Sequence, residues 1–235
     1  MTILVQRSNQ EEPQSYNVDL EGVTLLACLN HIKTKIDPTL TYSHGCRSGV
    51  CGSCAVRVNG HEHLMCEYKP NEGDTIEPIQ NIRVIRDLVV DSSQLERFNT
   101  VASAWSEKSR EGNVSEEEMS RIQTQSDCIL CASCASACPV YAVNPDFIGP
   151  FALTRVWRYV HDVRETSSDA KIAAVQINGI WDCTLCGECV PVCPQNIAPA
   201  QDIRMLRSKS GMMGYQDPTM ASMFGGGLDF GAPMF

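Results

Sequence analysis

Several features of membrane, secreted and nucleic-acid-binding proteins are missing from this sequence. No apolar run approaches the roughly 18–20 residues that a membrane-spanning helix needs. The start of the chain lacks a basic stretch followed by an apolar one, so we expect neither a signal peptide nor a transmembrane helix. The net charge is −9 and there is no basic block, which argues against nucleic acid as a partner. Hydrophobic residues make up 43%, enough for a folded core.

Cysteine is what the sequence has in excess, with 13 residues in a chain of 235. Twelve of them fall into three tight runs, and Cys28 stands alone in a segment that we expect to be helical. An odd count and such close spacing do not suit a disulfide framework. We therefore predict metal ligation by the three runs and a buried, packed thiol at Cys28.

The first run has the spacing of plant-type ferredoxins, which bind a [2Fe–2S] cluster. Gly45, Gly49 and Gly52 would let the chain wrap closely around that cluster. Zinc is the alternative, but zinc sites favour paired C-x2-C knuckles. The predicted ligands are Cys46, Cys51, Cys54 and Cys66.

Three histidines lie near this run. His44 lies two residues before Cys46 and could suggest a Rieske centre. A Rieske centre needs two histidines in place of two cysteines. We reject this interpretation because all four cysteines are present. His61 and His63 form an H-x-H pattern, for which we expect a solvated strand edge rather than a ligand role.

The second and third runs repeat the bacterial pattern C-x2-C-x2-C-x3-C-P. In two-cluster ferredoxins the fourth cysteine of each run ligates the cluster of the other run. We therefore predict two [4Fe–4S] clusters, with a pair of zinc knuckles as the alternative. One cluster would take Cys128, Cys131, Cys134 and Cys193, and the other Cys138, Cys183, Cys186 and Cys189.

The pattern of the remaining residues predicts an α+β protein. Ile3, Val5 and Arg7 alternate with polar residues, and Asn59-Gly60 predicts a hairpin. We expect a short helix over 24–32, a capping box at Ser115, and further helices over 146–163, 169–177 and 199–207. The expected division is a plant-type ferredoxin β-grasp domain (1–95), an all-α bacterial-type domain with two clusters (96–207), and a tail rich in Gly, Met and Phe (208–235) that is either flexible or a strap for a partner.

This succession of domains resembles the iron–sulfur subunit of the succinate dehydrogenase and fumarate reductase family. The segments 84–91 and 144–150 also look like hallmarks of that family. The resemblance implies electron transfer through three clusters, with the first facing a flavoprotein subunit that carries covalent FAD and the third facing a membrane-anchor subunit. Substrate catalysis would lie on the flavoprotein, and this chain would carry no catalytic residue. The alternative is an electron-transfer subunit of another flavin-dependent dehydrogenase.

Two departures from the classical members of that family point to a non-classical branch. Classical members lack a cysteine at the position of Cys186 and hold a [3Fe–4S] third cluster, which remains the alternative to [4Fe–4S] here. The aromatic pair and the histidine of their quinone pocket correspond to Ala142, Val143 and Thr184. The membrane partner is therefore expected to be cysteine-rich, and the quinone pool to be reached indirectly. We expect membrane association through partners, at the cytoplasmic face by default and at the periplasmic face if the chain is exported with a partner.

Overall fold

The computed structural model describes residues 1–20, 22–106 and 111–219, and it has the expected α+β architecture. Strands occupy the first part of the chain. From residue 93 to residue 219, within the described ranges, the chain forms helices and loops only. No helix in the described residues is both long and apolar enough to cross a bilayer.

One mixed sheet organises the N-terminal part. Its strands are β1 (Thr2–Val5), β2 (Gln14–Asn17), β3 (Ala55–Val58), β4 (His61–Leu64) and β5 (Thr75–Glu77). Their order is β2-β1-β5-β3-β4, with β1 and β5 parallel and the other neighbours antiparallel. Ile3 and Val5 are fully buried, as their alternation predicts. Asn59 and Gly60 both have positive φ, which the two-residue turn between β3 and β4 requires.

The predicted helix is α1 (Leu25–His31), which packs its apolar residues into the core beside the sheet. The side chain of Thr24 caps it by accepting from the amide of Ala27. One turn of π-helix, Ile32–Ile36, follows directly. Cys28 is completely buried in this core, as expected, and burial raises the pKa of its thiol.

A second hairpin, β6 (Val84–Arg86) and β7 (Val89–Val90), closes the N-terminal part. Its turn residue Asp87 is buried and lies 3.2 Å from the guanidinium of Arg7, which is also buried. Arg7 makes a further ion pair with Asp37 at 2.5 Å. Arg7 therefore lies in a buried charge network rather than in an apolar strand position.

The C-terminal part is helical. Its elements are α2 (Ser93–Val101), α3 (Glu116–Ser120), α4 (Gln123–Ser126), α5 (Ser133–Ser136), α6 (Pro139–Val143), α7 (Gly149–Val160), α8 (Ser168–Ala174) and α9 (Pro199–Met212). The capping box predicted at Ser115 is present, because its hydroxyl accepts from the Glu118 amide and the Glu118 carboxylate accepts from the Ser115 amide. α7 packs against α9 and α8 at the centre of this part.

Two of these helices are shorter than the predicted spans. We expected a helix over 146–163, but α7 begins at Gly149, whose φ of +86° is not helical and so prevents extension toward Asp146. The helix expected over 169–177 ends at Ala174.

The last helix is longer than its predicted span. We expected α9 to end at residue 207, but it continues to Met212. Ser210 on this extra turn is fully buried, and its hydroxyl accepts a hydrogen bond from the side-chain amide of Gln176 at 2.9 Å. The first five residues of the predicted tail are therefore helical, and residues 220–235 of that tail lie outside the described residues.

Polar contacts join the two parts. The Ser136 hydroxyl donates to the buried carboxylate of Glu62 at 2.7 Å and accepts from the amide of Gln80 at 2.8 Å. The side chain of Asn81 donates to the carbonyl oxygen of Ser136 at 2.8 Å. The β3–β4 hairpin is thus held against the loops that carry the second cysteine run.

Candidate functional site

The first cysteine run lies in the loop before β3, with Cys66 just after β4. Its thiols are surrounded by backbone donors: the amides of Ser48 and Val50 lie 3.4 Å from the Cys46 sulfur, and the amide of Gly49 lies 3.3 Å from the Cys66 sulfur. The sulfurs of Cys54 and Cys66 are 3.4 Å apart. The predicted ligands are therefore brought together, with N–H groups placed as the sulfurs of a cluster require.

The pKa values in this loop follow from those donors and from burial. The amides of Ser48 and Val50 and the neighbouring Cys51 thiol lower the pKa of Cys46 to about 6, because a hydrogen-bonded sulfur holds negative charge more easily. Burial raises the pKa of Cys54 to about 12. Cys46 is exposed and Val50 is 65% exposed, so this set reaches the molecular surface.

The second set of thiols forms around the loop before α5. Burial raises the pKa of Cys128, and the charges of Cys131 and Cys193 raise it further by repulsion. Burial acts in the same direction on Cys131, which Cys193 also repels. Cys193 thus lies with the first three cysteines of the second run, although it is the fourth cysteine of the third run.

A small cavity is lined by the four thiols of this set. Phe151 and Ile197 contribute apolar walls, and Thr154 lies among the lining residues beside all four thiols. Burial raises the pKa of Cys134 well above its usual value, and Cys131 and Cys128 add to the rise. Buried thiolates that repel one another need cationic compensation, which iron supplies.

In the third set, Cys138, the fourth cysteine of the second run, lies with cysteines of the third run. Burial raises the pKa of Cys138, and Cys183 and Cys186 raise it further. Burial likewise raises the pKa of Cys189 to about 12, with added repulsion from Cys183, Cys138 and Cys186. The amide of Tyr141 lies 3.4 Å from the Cys138 sulfur, and that of Leu185 lies 3.3 Å from the Cys183 sulfur. Cys186 is exposed, so this set also reaches the surface.

Ala142, Val143 and Thr184 correspond to the quinone-pocket residues of classical members, and they lie beside the third set. The Asn144 side chain approaches the Asp182 carboxylate at 3.4 Å, which brings the end of α6 next to the third run. Val143 is 82% exposed, and Ala142 and Thr184 are exposed as well. This end of the molecule therefore presents small and aliphatic side chains.

The structure also reveals supporting residues that the sequence pattern did not indicate. Arg207 on α9 donates to the carbonyl oxygens of Ile180 at 2.7 Å, Trp181 at 3.1 Å, and Cys183. Its guanidinium lies 5.5 Å from the centre of the Trp181 ring. No local signal connects Arg207 with a loop more than 20 residues away, so only the packing of α9 identifies it.

The three histidines lie outside the thiol sets. His44 is exposed, with its ring centre 5.8 Å from that of Tyr42. His61 is exposed at the start of β4, as expected of a solvated edge. His63 is half-buried, with its ring centre 4.4 Å from that of Tyr68, and burial lowers its pKa.

Zinc is the alternative occupant of the thiol sets. No group of three or more His, Cys, Asp or Glu side chains in the described ranges is spaced to hold a single metal ion. The donor sets are thiols only, arranged as one group of four in the N-terminal part and two interleaved groups in the C-terminal part. When clusters are bound, such groups supply one-electron chemistry.

Family models and curated relatives agree with this geometry. A 2Fe-2S iron-sulfur cluster binding domain model matches residues 2–97, and a 4Fe-4S dicluster domain model matches residues 124–197. The chain is 38% identical over 225 residues to the 8-methylmenaquinol:fumarate reductase iron-sulfur subunit of Wolinella succinogenes, covering 88% of this chain and 70% of that protein. The chain belongs to the family of succinate dehydrogenase and fumarate reductase iron–sulfur subunits.

Other members of the family match over similar lengths. The fumarate reductase iron-sulfur subunit of Mycobacterium tuberculosis is 37% identical and covers 81% of this chain and 83% of its own. The succinate dehydrogenase iron-sulfur subunit of Paracoccus denitrificans is 32% identical, with coverages of 82% and 79%. A chain from the Mycobacterium smegmatis Sdh1 complex in the apo form shares the fold, with a TM-score of 0.80, 24% identity, and coverage of 92% of this chain and 98% of that one.

Membership in the family establishes the general role. This iron–sulfur subunit transfers electrons within a succinate dehydrogenase or fumarate reductase complex, and it carries [2Fe–2S] and [4Fe–4S] centres. Such a complex contains a flavoprotein and a membrane-anchor partner. The expected succession of a [2Fe–2S] ferredoxin domain and a dicluster domain is confirmed.

Proposed function

We propose that this subunit holds one [2Fe–2S] and two [4Fe–4S] clusters, and that the third cluster is a [4Fe–4S] cubane. The observation that carries this proposal is the position of Cys186, which lies close enough to Cys138, Cys183 and Cys189 to raise the pKa of each. A [4Fe–4S] cluster takes four thiolates, and Cys186 supplies the fourth. The first cluster takes Cys46, Cys51, Cys54 and Cys66, the second takes Cys128, Cys131, Cys134 and Cys193, and the third takes Cys138, Cys183, Cys186 and Cys189.

The chain's own residues hold and shield these groups. Backbone amides such as those of Ser48 and Leu185 donate to the ligating sulfurs and stabilise their charge. Apolar side chains such as Phe151 keep water away from the second set. Substrate chemistry belongs to the flavoprotein subunit, on which we place a covalently bound FAD facing the first set.

The membrane-side partner is, in this proposal, a cysteine-rich subunit that receives electrons directly at the Cys186 edge. Support comes from the surface there, where Cys186 and Thr184 are exposed and Val143 is 82% exposed. At the three described positions Ala142, Val143 and Thr184 this edge offers neither an aromatic ring nor an imidazole to a quinone head group. The quinone pool would then be reached only through the partner.

We place the chain at the cytoplasmic face of the membrane, with the periplasmic face as the alternative. Protease protection in inverted and right-side-out vesicles distinguishes the two faces.

An iron count and an EPR spectrum test the cluster content. The anaerobically purified, mildly oxidised complex should contain about ten iron atoms per copy of this chain and give almost no signal, because all three clusters are then diamagnetic. Cys186→Ser should lower the count to about nine and create a strong oxidised-state [3Fe–4S] signal. Cys28→Ser is the matched control, because that thiol is buried on α1 and is not a proposed ligand, so its loss should change neither value. A [3Fe–4S] signal from the unmodified protein would overturn the proposal.

A further inference from the structure

The loops that carry the first and second thiol sets touch each other through their backbones. Gly52, between Cys51 and Cys54, faces the segment from Ile129 to Cys131. A Cβ atom on Gly52 would lie 2.5 Å from the carbonyl oxygen of Ile129 and 2.9 Å from the Cα atom of Cys131. These are backbone atoms, which cannot rotate aside as a side chain could, so any side chain at Gly52 would push the two loops apart.

This contact gives Gly52 a role different from the one that the sequence suggests. Glycine in this loop was expected to let the chain wrap around the first cluster, and Gly45 fits that description, because its Cβ would lie 3.0 Å from the Cys51 sulfur. The space that Gly52 leaves free is filled by the second loop instead. Gly52 also has a φ of +72°, a conformation that favours glycine.

The facing loop has a constrained shape. Leu130 and Ala132 adopt left-handed conformations, with φ values of 52° and 65°, although neither is glycine. Non-glycine residues keep such conformations only when the surrounding structure holds them. The loop is therefore a firm surface rather than one that could yield to an added methyl group.

A second contact joins the same two sets at another point. The side-chain amide of Gln195 donates to the carbonyl oxygen of Gly49 at 3.0 Å. Gln195 lies two residues after Cys193, and Gly49 lies between Cys46 and Cys51. Both chain segments that bring thiols to the second set, 128–134 and 193–195, therefore touch the loop of the first set.

We propose that Gly52 and Gln195 are positioning residues that set the distance between the first and second thiol sets. This inference rests on the ligand sets proposed above. Electron transfer between two bound centres slows steeply as their separation grows, so a contact that permits close approach governs the rate without any charged or proton-transferring group. The absence of a side chain at Gly52 allows the approach, and the Gln195 hydrogen bond holds it.

The variant Gly52→Ala tests the proposal in the complete anaerobic complex. With both clusters reduced, EPR power saturation and line broadening report the magnetic interaction between the first and second centres, which should weaken. Electron transfer between them should slow by at least about tenfold, in line with the effect of residues that support metal ligands. Gly73→Ala is the matched control, since Gly73 also has a positive φ (+82°) but a Cβ there meets nothing within 4 Å. That control should keep the normal interaction and rate.

Gln195→Glu provides a second test if Gly52→Ala fails to load iron. Glutamate keeps the shape of the side chain but cannot donate to the Gly49 carbonyl. It should also weaken the magnetic interaction while the iron count stays at that of the unmodified protein. Full iron with an unchanged interaction and rate in Gln195→Glu, or in Gly52→Ala, would overturn the positioning role. An abnormal iron count in the unmodified protein would instead contradict the proposed cluster content, so the two failures are distinguishable.

Discussion

The Nζ atom of Lys171 lies 3.5 Å from a carboxylate oxygen of Glu165, and each of these side chains is about 1% exposed. The same ammonium donates to the carbonyl oxygens of Ser103, at 3.0 Å, and Trp105. One buried lysine on α8 therefore binds the segment that follows α2. This contact ties the segment after α2 to α8 within the helical part of the molecule.

Replacing Lys171 should destabilise the fold strongly. Lys171→Met removes the positive charge beside Glu165 and the donor to two buried carbonyl oxygens, and breaking a buried ion pair costs about 3–5 kcal/mol. Urea unfolding of the anaerobic holoprotein measures the change. Lys35→Met is the control, because Lys35 is exposed and its loss should change the free energy of unfolding little. Equal effects of the two substitutions would contradict the role assigned to Lys171.

Asp202 should make stability depend on pH. Burial raises the pKa of this carboxyl from 3.8 to about 6, although the Thr154 hydroxyl and the Gln125 amide donate to it and oppose the shift. Between these two pH values the folded protein holds a proton that the unfolded chain releases. Stability therefore falls as pH rises through this window, and the loss is complete above about pH 6.

The variant Asp202→Asn removes that loss. It should stabilise the protein by about 2–3 kcal/mol near neutral pH, where the buried aspartate is charged, and the gain should vanish near about pH 4. Denaturation measured across this range gives the profile. A gain that is independent of pH would mean that the charge of Asp202 is not its cause.

Ser136 should matter for the contact between the two parts. Ser136→Ala leaves the Glu62 carboxylate without the hydroxyl donor and the Gln80 amide without its acceptor, which should cost about 1–3 kcal/mol. Hydrogen exchange at the Gln80 amide should become faster in the variant. Ser208→Ala, at an exposed position on α9, should leave both measurements nearly unchanged. An unaltered exchange rate at Gln80 in the first variant would show that this hydrogen bond is dispensable.

Two glycines should respond in opposite directions to alanine. Gly211 lies within α9 with open space around its Cβ position, so Gly211→Ala should stabilise the helix by about 0.5–1 kcal/mol. A Cβ on Gly179 would lie 2.1 Å from the carbonyl oxygen of Val175, so Gly179→Ala should destabilise the protein. Thermal midpoints of the two variants measure this contrast, and a shift of the same sign in both would refute it.

Local patterns predicted the first strand, the β3–β4 hairpin and several helices, but not β5, the β6–β7 hairpin or the short helices α4 to α6. The Asn59-Gly60 turn and the Ser115 capping box are interactions between residues close in sequence, so their geometry follows from residue type alone. The ends of α7 and α9 were predicted less well. The positive φ of Gly149 and the burial of Ser210 against Gln176 depend on packing with distant segments, which no local pattern reveals.

The sequence by itself determined the chemistry of this protein, because thiols separated by two to four residues must converge in one loop and no other ligand type competes with them. The tertiary structure decided how those loops are arranged. The approach of Gly52 to Ile129, the hydrogen bond from Gln195 to Gly49, and the bracing of the third run by Arg207 all join residues more than 20 positions apart. Such contacts depend on how sheet and helices pack against each other, and the spacing of residues along the chain does not contain that information.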